Sequence, residues 1–161
     1  MHRSAGINDL EFIYDQIMDG AKYGYFNRKS HQIPAIAKKL KLELTSILKN
    51  KVRLNGLSAY GVIYELNDEC IGFIIMSVDK ENKGDELWMA AIHPDYRNKG
   101  HGKKMITEVL EQLKESDLII TARCAPESEA MYQILLQSGF RHLATSKGGY
   151  RGLAYEGQQA H

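Results

Sequence analysis

Residues 86–113 read ELWMAAIHPDYRNKGHGKKMITEVLEQL, and the fold is decided by where this stretch changes period. Leu87, Trp88, Met89, Ala90, Ala91 and Ile92 form a short apolar run, the pattern of a strand covered on both faces. Pro94 ends it, because proline cannot donate to a sheet ladder. Further on, Met105, Ile106, Val109, Leu110 and Leu113 recur at helical spacing, with Lys103, Lys104, Glu108, Glu111 and Gln112 between them. Gly100 and Gly102 therefore stand where a strand hands over to a helix. The first turn of a helix has amides with no internal partner, and its dipole adds partial positive charge there. Glycines bring that backbone close to a ligand, and Arg97, Lys99, Lys103 and Lys104 surround the loop with cations. The expectation is an anion seat of pyrophosphate size.

Two common phosphate loops fail on spacing. The dinucleotide fingerprint needs glycine where Met105 stands, and a triphosphate loop needs glycine at position 97 and Ser or Thr in place of Lys104. A glycine-rich turn beside solvated lysines is the plainer alternative. Arg97-Asn98-Lys99-Gly100-His101-Gly102, with an apolar strand and Pro94 before it and a helix after it, resembles the R/Q-x-x-G-x-G/A motif of the GNAT superfamily of acyl-CoA-dependent N-acetyltransferases.

Working outward, residues 10–18 carry Leu10, Ile13, Tyr14, Ile17 and Met18 on one helical face, with Asn8 or Asp9 as cap and Gly20 near the end. Tyr23, Tyr25 and Phe26 cluster in the following loop, and Pro34 suits the first turn of a second helix whose apolar face is Ile33, Ile36, Ala37, Leu40, Leu44, Ile47 and Leu48. From residue 58 the period becomes that of strands. Segments 58–66 and 70–78 flank Asn67-Asp68-Glu69 and predict a hairpin, the loop 80–85 leads to the strand at 86, and 118–124 is a further strand. Pro126-Glu127-Ser128 starts a helix to about Gln137, ended at Gly139, and 141–146 and 150–156 are two weaker strands.

Composition sets bounds. One domain suits 161 residues, and 43% hydrophobic with 25% charged residues is ordinary for a globular chain. A net charge of +1 argues against broad nucleic-acid binding. Cys70 and Cys124 read as buried free thiols, and six scattered histidines suggest no metal site. No run is long enough for a membrane span and no signal-peptide core opens the chain, so the expected location is cytoplasmic.

The element order α-α-β-β-β-α-β-α-β-β also resembles that family, which implies an α+β (α/β three-layer) GNAT fold with a mixed central sheet of about six to seven strands flanked by helices. The single domain would cover residues 1–156, with 157–161 a mobile tail. The implied activity is transfer of an acetyl group from acetyl-CoA to a primary amine by direct attack, with a small-molecule or peptide acceptor and a homodimer left open. Carried over by position, amides near Ile92 and His93 would bind pantetheine. Amides of Lys99, Gly100, His101, Gly102 and Lys103, with Asn98 in the loop, would cradle the pyrophosphate, and Arg97 and Lys103 or Lys104 would neutralise it. His93 either faces the reaction centre or has no catalytic duty. Glu86 occupies the place where family members carry a general base, the competing view being surface charge. The family's last helix carries N-x-x-A-x-x-x-Y-x-x-x-G-F, whose tyrosine protonates the leaving thiolate. Anchoring on Gly139-Phe140 puts Ser128 at the asparagine and Leu135 at the tyrosine, so Tyr132, one turn earlier, is the candidate acid. Leu135 there leaves a second reading, a non-catalytic CoA-binding regulatory module, and a third, an interaction protein with an empty cleft.

Overall fold

The computed structural model describes residues 1–114 and 119–155. In chain order these form β1 (His2–Ser4), α1 (Leu10–Lys22), α2 (Lys29–Gln32), α3 (Pro34–Asn50), β2 (Ala59–Leu66), β3 (Glu69–Asp79), β4 (Gly84–Ile92), α4 (His101–Leu113), β5 (Ile120–Cys124), α5 (Glu129–Gln137), β6 (Arg141–Thr145) and β7 (Arg151–Tyr155). The strands make one mixed sheet in the order β1-β2-β3-β4-β5-β7-β6, in which β4 and β5 run parallel and the other pairs antiparallel. Ile13, Ile17, Leu44 and Ile47 of α1 and α3 pack on one face with Ile63, Phe73, Ile75 and Met89. Met105, Ile106, Val109 and Leu110 of α4 pack on the other with Ile74, Met76, Leu87 and Leu153. The result is the three-layer α+β architecture expected.

The predicted order holds, with two additions, the three-residue β1 and the one-turn α2. Both are too short to leave a period in the sequence. Leu118 and Glu156, placed in strands from sequence, lie outside the described residues, as does the 157–161 tail. The first cap differs too. A 3-10 turn over Ile7–Asp9 precedes α1, and the Asp9 carboxylate turns back to accept the Gly6 N–H at 2.8 Å and pair with Arg3 at 2.8 Å. That guanidinium holds the Asp9 carboxyl below its usual range, and α1 runs through Gly20 to Lys22. Cys70 is only partly buried, whereas Cys124 is buried; both are free.

One irregularity in β4 organises everything that follows. Ile75 pairs with Met89 and Met76 with Leu87, so Trp88 has no partner across the ladder. An extra residue of this kind bends a strand and reverses the direction of the peptide groups beyond it. Pairing between β4 and β5 covers Asp85↔Ile120, Glu86↔Thr121 and Leu87↔Ala122, and stops where the bulge begins. The two parallel strands therefore splay apart toward their carboxyl ends.

The closed end of the pair depends on Gly84. A Cβ there would sit inside the contact radius of the Ile119 carbonyl oxygen, a backbone atom that also accepts the Asp85 N–H at 2.9 Å. Gly84→Ala is expected to destabilise the protein by about 3 kcal/mol, because the obstructing atom is main chain and cannot rotate away. Scanning calorimetry should register a melting point lower by roughly 6–12 °C.

Candidate functional site

The splay opens a cleft of about 700 Å³ that passes through the sheet. On the α4 side its wall is Gly100, Gly102, Lys103 and Ile134; on the α1 side it is Tyr25, Phe26, Trp88 and Arg123. The loop bearing Tyr25 and Phe26 is fastened across the opening. Arg28 pairs with Glu127 at 2.8 Å and also donates to the Lys22 carbonyl, while the Ser128 hydroxyl donates to the Tyr25 carbonyl at 3.4 Å. Sequence reading found the aromatic cluster but not this clasp, whose partners are 99 residues apart.

At the start of α4, Gly100 takes φ 84°, the left-handed region that favours glycine, and its carbonyl accepts the Lys104 N–H at 3.2 Å. Asn98 is left-handed as well, with φ 62°. No side chain caps the helix, so the amides of His101, Gly102 and Lys103 have no intrahelical acceptor. Gly102 has a second duty that its sequence spacing does not reveal. A Cβ there would lie 2.9 Å from Ile134 Cδ1, so α4 begins close against α5 and a larger residue would require the Ile134 side chain to shift. Arg97 and Lys103 line the cleft, while Lys99 turns aside to donate to the Asp95 carbonyl at 3.2 Å. The Arg97 Nε–H donates to the Ile92 carbonyl at 2.8 Å, and its terminal nitrogen is 4.0 Å from the Asp19 carboxylate. Arg97 thus braces the loop to the end of β4 and to α1 while facing the seat.

The amides along β4 need a correction. The His93 N–H donates to the Ile71 carbonyl at 2.7 Å and is spent in the sheet, so it is not a free donor for a pantetheine chain. Antiparallel pairing alternates, so Ala91 also joins β3 and the peptide groups of Ala90 and Ile92 face the gap. The Ile92 carbonyl, taken by Arg97, lies on that side as this requires. Ile92, named from sequence, thus faces the gap, and Ala90, not singled out from sequence, does so too. The His93 ring does not face the reaction centre either. Its Nδ1 accepts the Asp95 N–H at 3.1 Å and shapes the turn at Pro94–Tyr96. His101 turns its ring edge-on to Tyr96, with centroids 6.2 Å apart.

Glu86 lies one residue below the cleft floor, where β4 and β5 are still paired, on the sheet face opposite Leu87. Its carboxylate is 3.8 Å from Arg123 Nε, and only 17% of its side chain is exposed. Burial raises its pKa above the usual glutamate range; Arg123 opposes the rise, Asp79 adds to it and Arg53 opposes it. The structure does not bring Tyr132 to the cleft. Its hydroxyl is 3.1 Å from His142 Nδ1, and its ring lies under the Arg151 guanidinium at 3.9 Å. Tyr132 takes no part in the cleft wall, to which α5 contributes Ala130, Met131, Gln133, Ile134, Leu135 and Gln137. Leu135 fills the tyrosine slot as a buried core residue. Tyr132→Phe is therefore expected to change kcat by less than about threefold, well short of the 10²-fold or more that loss of an acid–base group brings. A steady-state rate comparison measures this.

Cys124 lines the cleft, and burial pushes its thiol up to about 11. It is protonated at neutral pH and unsuited to form a covalent intermediate. Among the described residues no cluster of three or more potential metal ligands occurs, and no helix is long and apolar enough to cross a membrane.

Comparison with known proteins follows the same lines. The PaiA N-acetyltransferase of Thermoplasma acidophilum, solved with coenzyme A, superposes with a TM-score of 0.72 over 97% of this chain and 98% of that one, at 17% identity. Spermidine N-acetyltransferase of Vibrio cholerae, solved with CoA and spermine, gives 0.66 over 96% and 91%, at 16% identity. The aminoglycoside acetyltransferase AAC(6')-Ib with coenzyme A gives 0.66 over 97% and 94%, also at 16% identity. At such identities the likeness is one of fold. No curated protein matches by sequence. The acetyltransferase (GNAT) family pattern matches residues 28–140, more than half of the chain. Together with the splayed strands and the loop at Gly100, that match establishes that the chain belongs to the GNAT acetyltransferase family.

Proposed function

We propose that the protein transfers the acetyl group of acetyl-CoA to a primary amine by direct attack in a ternary complex. The observation that carries this reading is the coincidence of the β4–β5 splay with the uncapped start of α4. One supplies gap-facing N–H groups at Ala90 and Ile92, the other free amides at His101, Gly102 and Lys103. An extended amide-bearing chain fits the first and a diphosphate the second. Arg97 and Lys103 add the compensating charge, and the bound nucleotides of the similar structures agree with the choice of cofactor.

The chemistry follows from these positions. Acetyl-CoA brings the activated carbonyl. A backbone N–H of the splayed strand polarises its oxygen, with Ile92 and Ala90 as the available donors. Glu86, through water, takes the proton that an ammonium must lose before its nitrogen can attack. The carbon–nitrogen bond forms, the carbon–sulfur bond breaks, and CoA leaves as the thiol with a proton drawn from solvent. Direct transfer fits a cleft whose one cysteine is protonated. Free thiols at Cys70 and Cys124 suit a cytoplasmic setting.

Thiol release from acetyl-CoA over a panel of small amines, amino acids and peptides tests this directly. Turnover with at least one class is expected. Tight acetyl-CoA binding without release across the panel would favour the CoA-binding regulatory module, a reading that Leu135 in the tyrosine slot keeps in play.

A further inference from the structure

Arg123 lines the cleft on its α1 side, yet cofactor binding gives it no task. Along β5, Ile120, Ala122 and Cys124 turn into the α4-side core, so Thr121 and Arg123 turn to the other face. That face is also where Glu86 points and Trp88 packs. Arg123 keeps 71% of its side chain exposed, and its one ion-pair partner among the described residues is Glu86 at 3.8 Å, without a hydrogen bond. Neighbouring charges are already satisfied. Arg53 stacks on Trp88 at 3.8 Å, pairs with Glu43 and donates to the Ser77 hydroxyl at 3.2 Å. The Asp79 carboxylate accepts from Thr121 at 2.6 Å and from the Asn82 side chain at 2.8 Å. Arg28 is occupied by Glu127. What remains is a guanidinium with open donors beside a largely buried carboxylate, at the acceptor end of the gap.

We propose that the acceptor is a zwitterionic amino acid, its carboxylate received by Arg123 and its ammonium directed to the side of Glu86. This rests on the acetyl-transfer reading above. Geometry supports it in two ways. Arg123 follows Ala122, which pairs with Leu87 at the end of the β4–β5 ladder, and so lies roughly 7 Å below the Ala90 amide and about 13 Å below that of Ile92 at one strand rise per residue. A carboxylate on the carbon bearing the amine can then meet the guanidinium while the nitrogen stays near the thioester carbonyl. In addition, the 3.8 Å spacing leaves Glu86 and Arg123 apart, so a substrate of opposite pattern replaces a loose pair with a charge-assisted contact to Arg123 and a water-linked one to Glu86. A polyamine would instead bring ammonium groups against the like-charged Arg123 guanidinium.

Matched acceptors on alanine, leucine and phenylalanine frames test the idea by thiol release: the free amino acid, its amide and the decarboxylated amine, with spermidine alongside. An amino-acid amide loses its ammonium proton more readily than the acid, so basicity alone favours the amide. The expected result is the reverse, with kcat/KM for at least one amino acid about tenfold or more above its amide, the scale of one charged hydrogen-bonded contact. In R123Q that ratio should fall to about one, and R123K should recover part of it. Equal or better use of amides, or spermidine as the best acceptor, would overturn the proposal and leave acetyl transfer standing. A wild-type ratio in R123Q would overturn it as well. No release from any probe would also overturn it, and calorimetry with acetyl-CoA then separates the cases: without binding heat the transfer reading falls too.

Discussion

Replacing Arg97 with glutamate is expected to raise the KM for acetyl-CoA by about 100-fold, equivalent to roughly 2.7 kcal/mol of lost binding. Three effects add in the same direction. The cleft loses a cation facing the first turn of α4, where a diphosphate would lie. The Nε–H donor to the Ile92 carbonyl at 2.8 Å disappears, so the loop is no longer pinned to the end of the splayed strand. The 4.0 Å pairing with Asp19 becomes a repulsion between carboxylates. Truncating one member of a hydrogen-bonded charge pair at a binding site costs about 2–5 kcal/mol, so the estimate is at the low end of that range, as suits a partly exposed residue. Arg97→Gln retains a neutral donor for the Ile92 carbonyl and should lose less, about tenfold, which separates bracing from charge. Steady-state kinetics with acetyl-CoA varied, on variants whose circular dichroism matches the parent, read both numbers. An unchanged KM in R97E would mean that the diphosphate is held elsewhere.

How much of this could be read from the chain follows from the range of each interaction. Pro94, Gly100 and the Met105–Leu110 stripe act within one or two turns of their own backbone, so the strand, loop and helix were legible. Trp88 looks like any other apolar residue of its strand. Its place as a bulge is fixed by which residues of β3 lie opposite, Ile75 and Met76, and no local pattern carries that. The error over the His93 amide has the same origin, because its acceptor is the Ile71 carbonyl on another strand. Tyr132 misled for a different reason. Proximity along a helix suggested that it could substitute for residue 135, but the helix rotation gives the two positions different surroundings, one in the core and one under Arg151. Arg123 passed unremarked since one arginine in a short strand has no period at all. Its meaning comes only from the face it shares with Glu86.

Glu86→Gln should lower kcat by about 100-fold at neutral pH, the scale of a lost general base, and should move the optimum to the alkaline side. In the parent, rate is expected to rise with pH as the carboxyl loses its proton. Burial has lifted its pKa, so this acid limb lies above the ordinary glutamate range. The glutamine variant has no such limb, and its rate should follow the acceptor's own deprotonation. Stability supplies an independent check with a definite sign. The folded state binds the Glu86 proton more tightly than the unfolded chain does, so between the unfolded and folded pKa values the unfolded state carries fewer protons. Unfolding free energy therefore falls as pH rises through that window, and the penalty persists at neutral pH. Glu86→Gln removes the penalty, so the variant should melt at or above the parent at pH 7, with that difference shrinking as pH falls below the ordinary glutamate range. Slower catalysis by a protein that is no less stable would identify Glu86 as a strained functional group. A wild-type pH profile in the variant would take it out of the mechanism, and a lower melting point would recast it as the structural partner of Arg123.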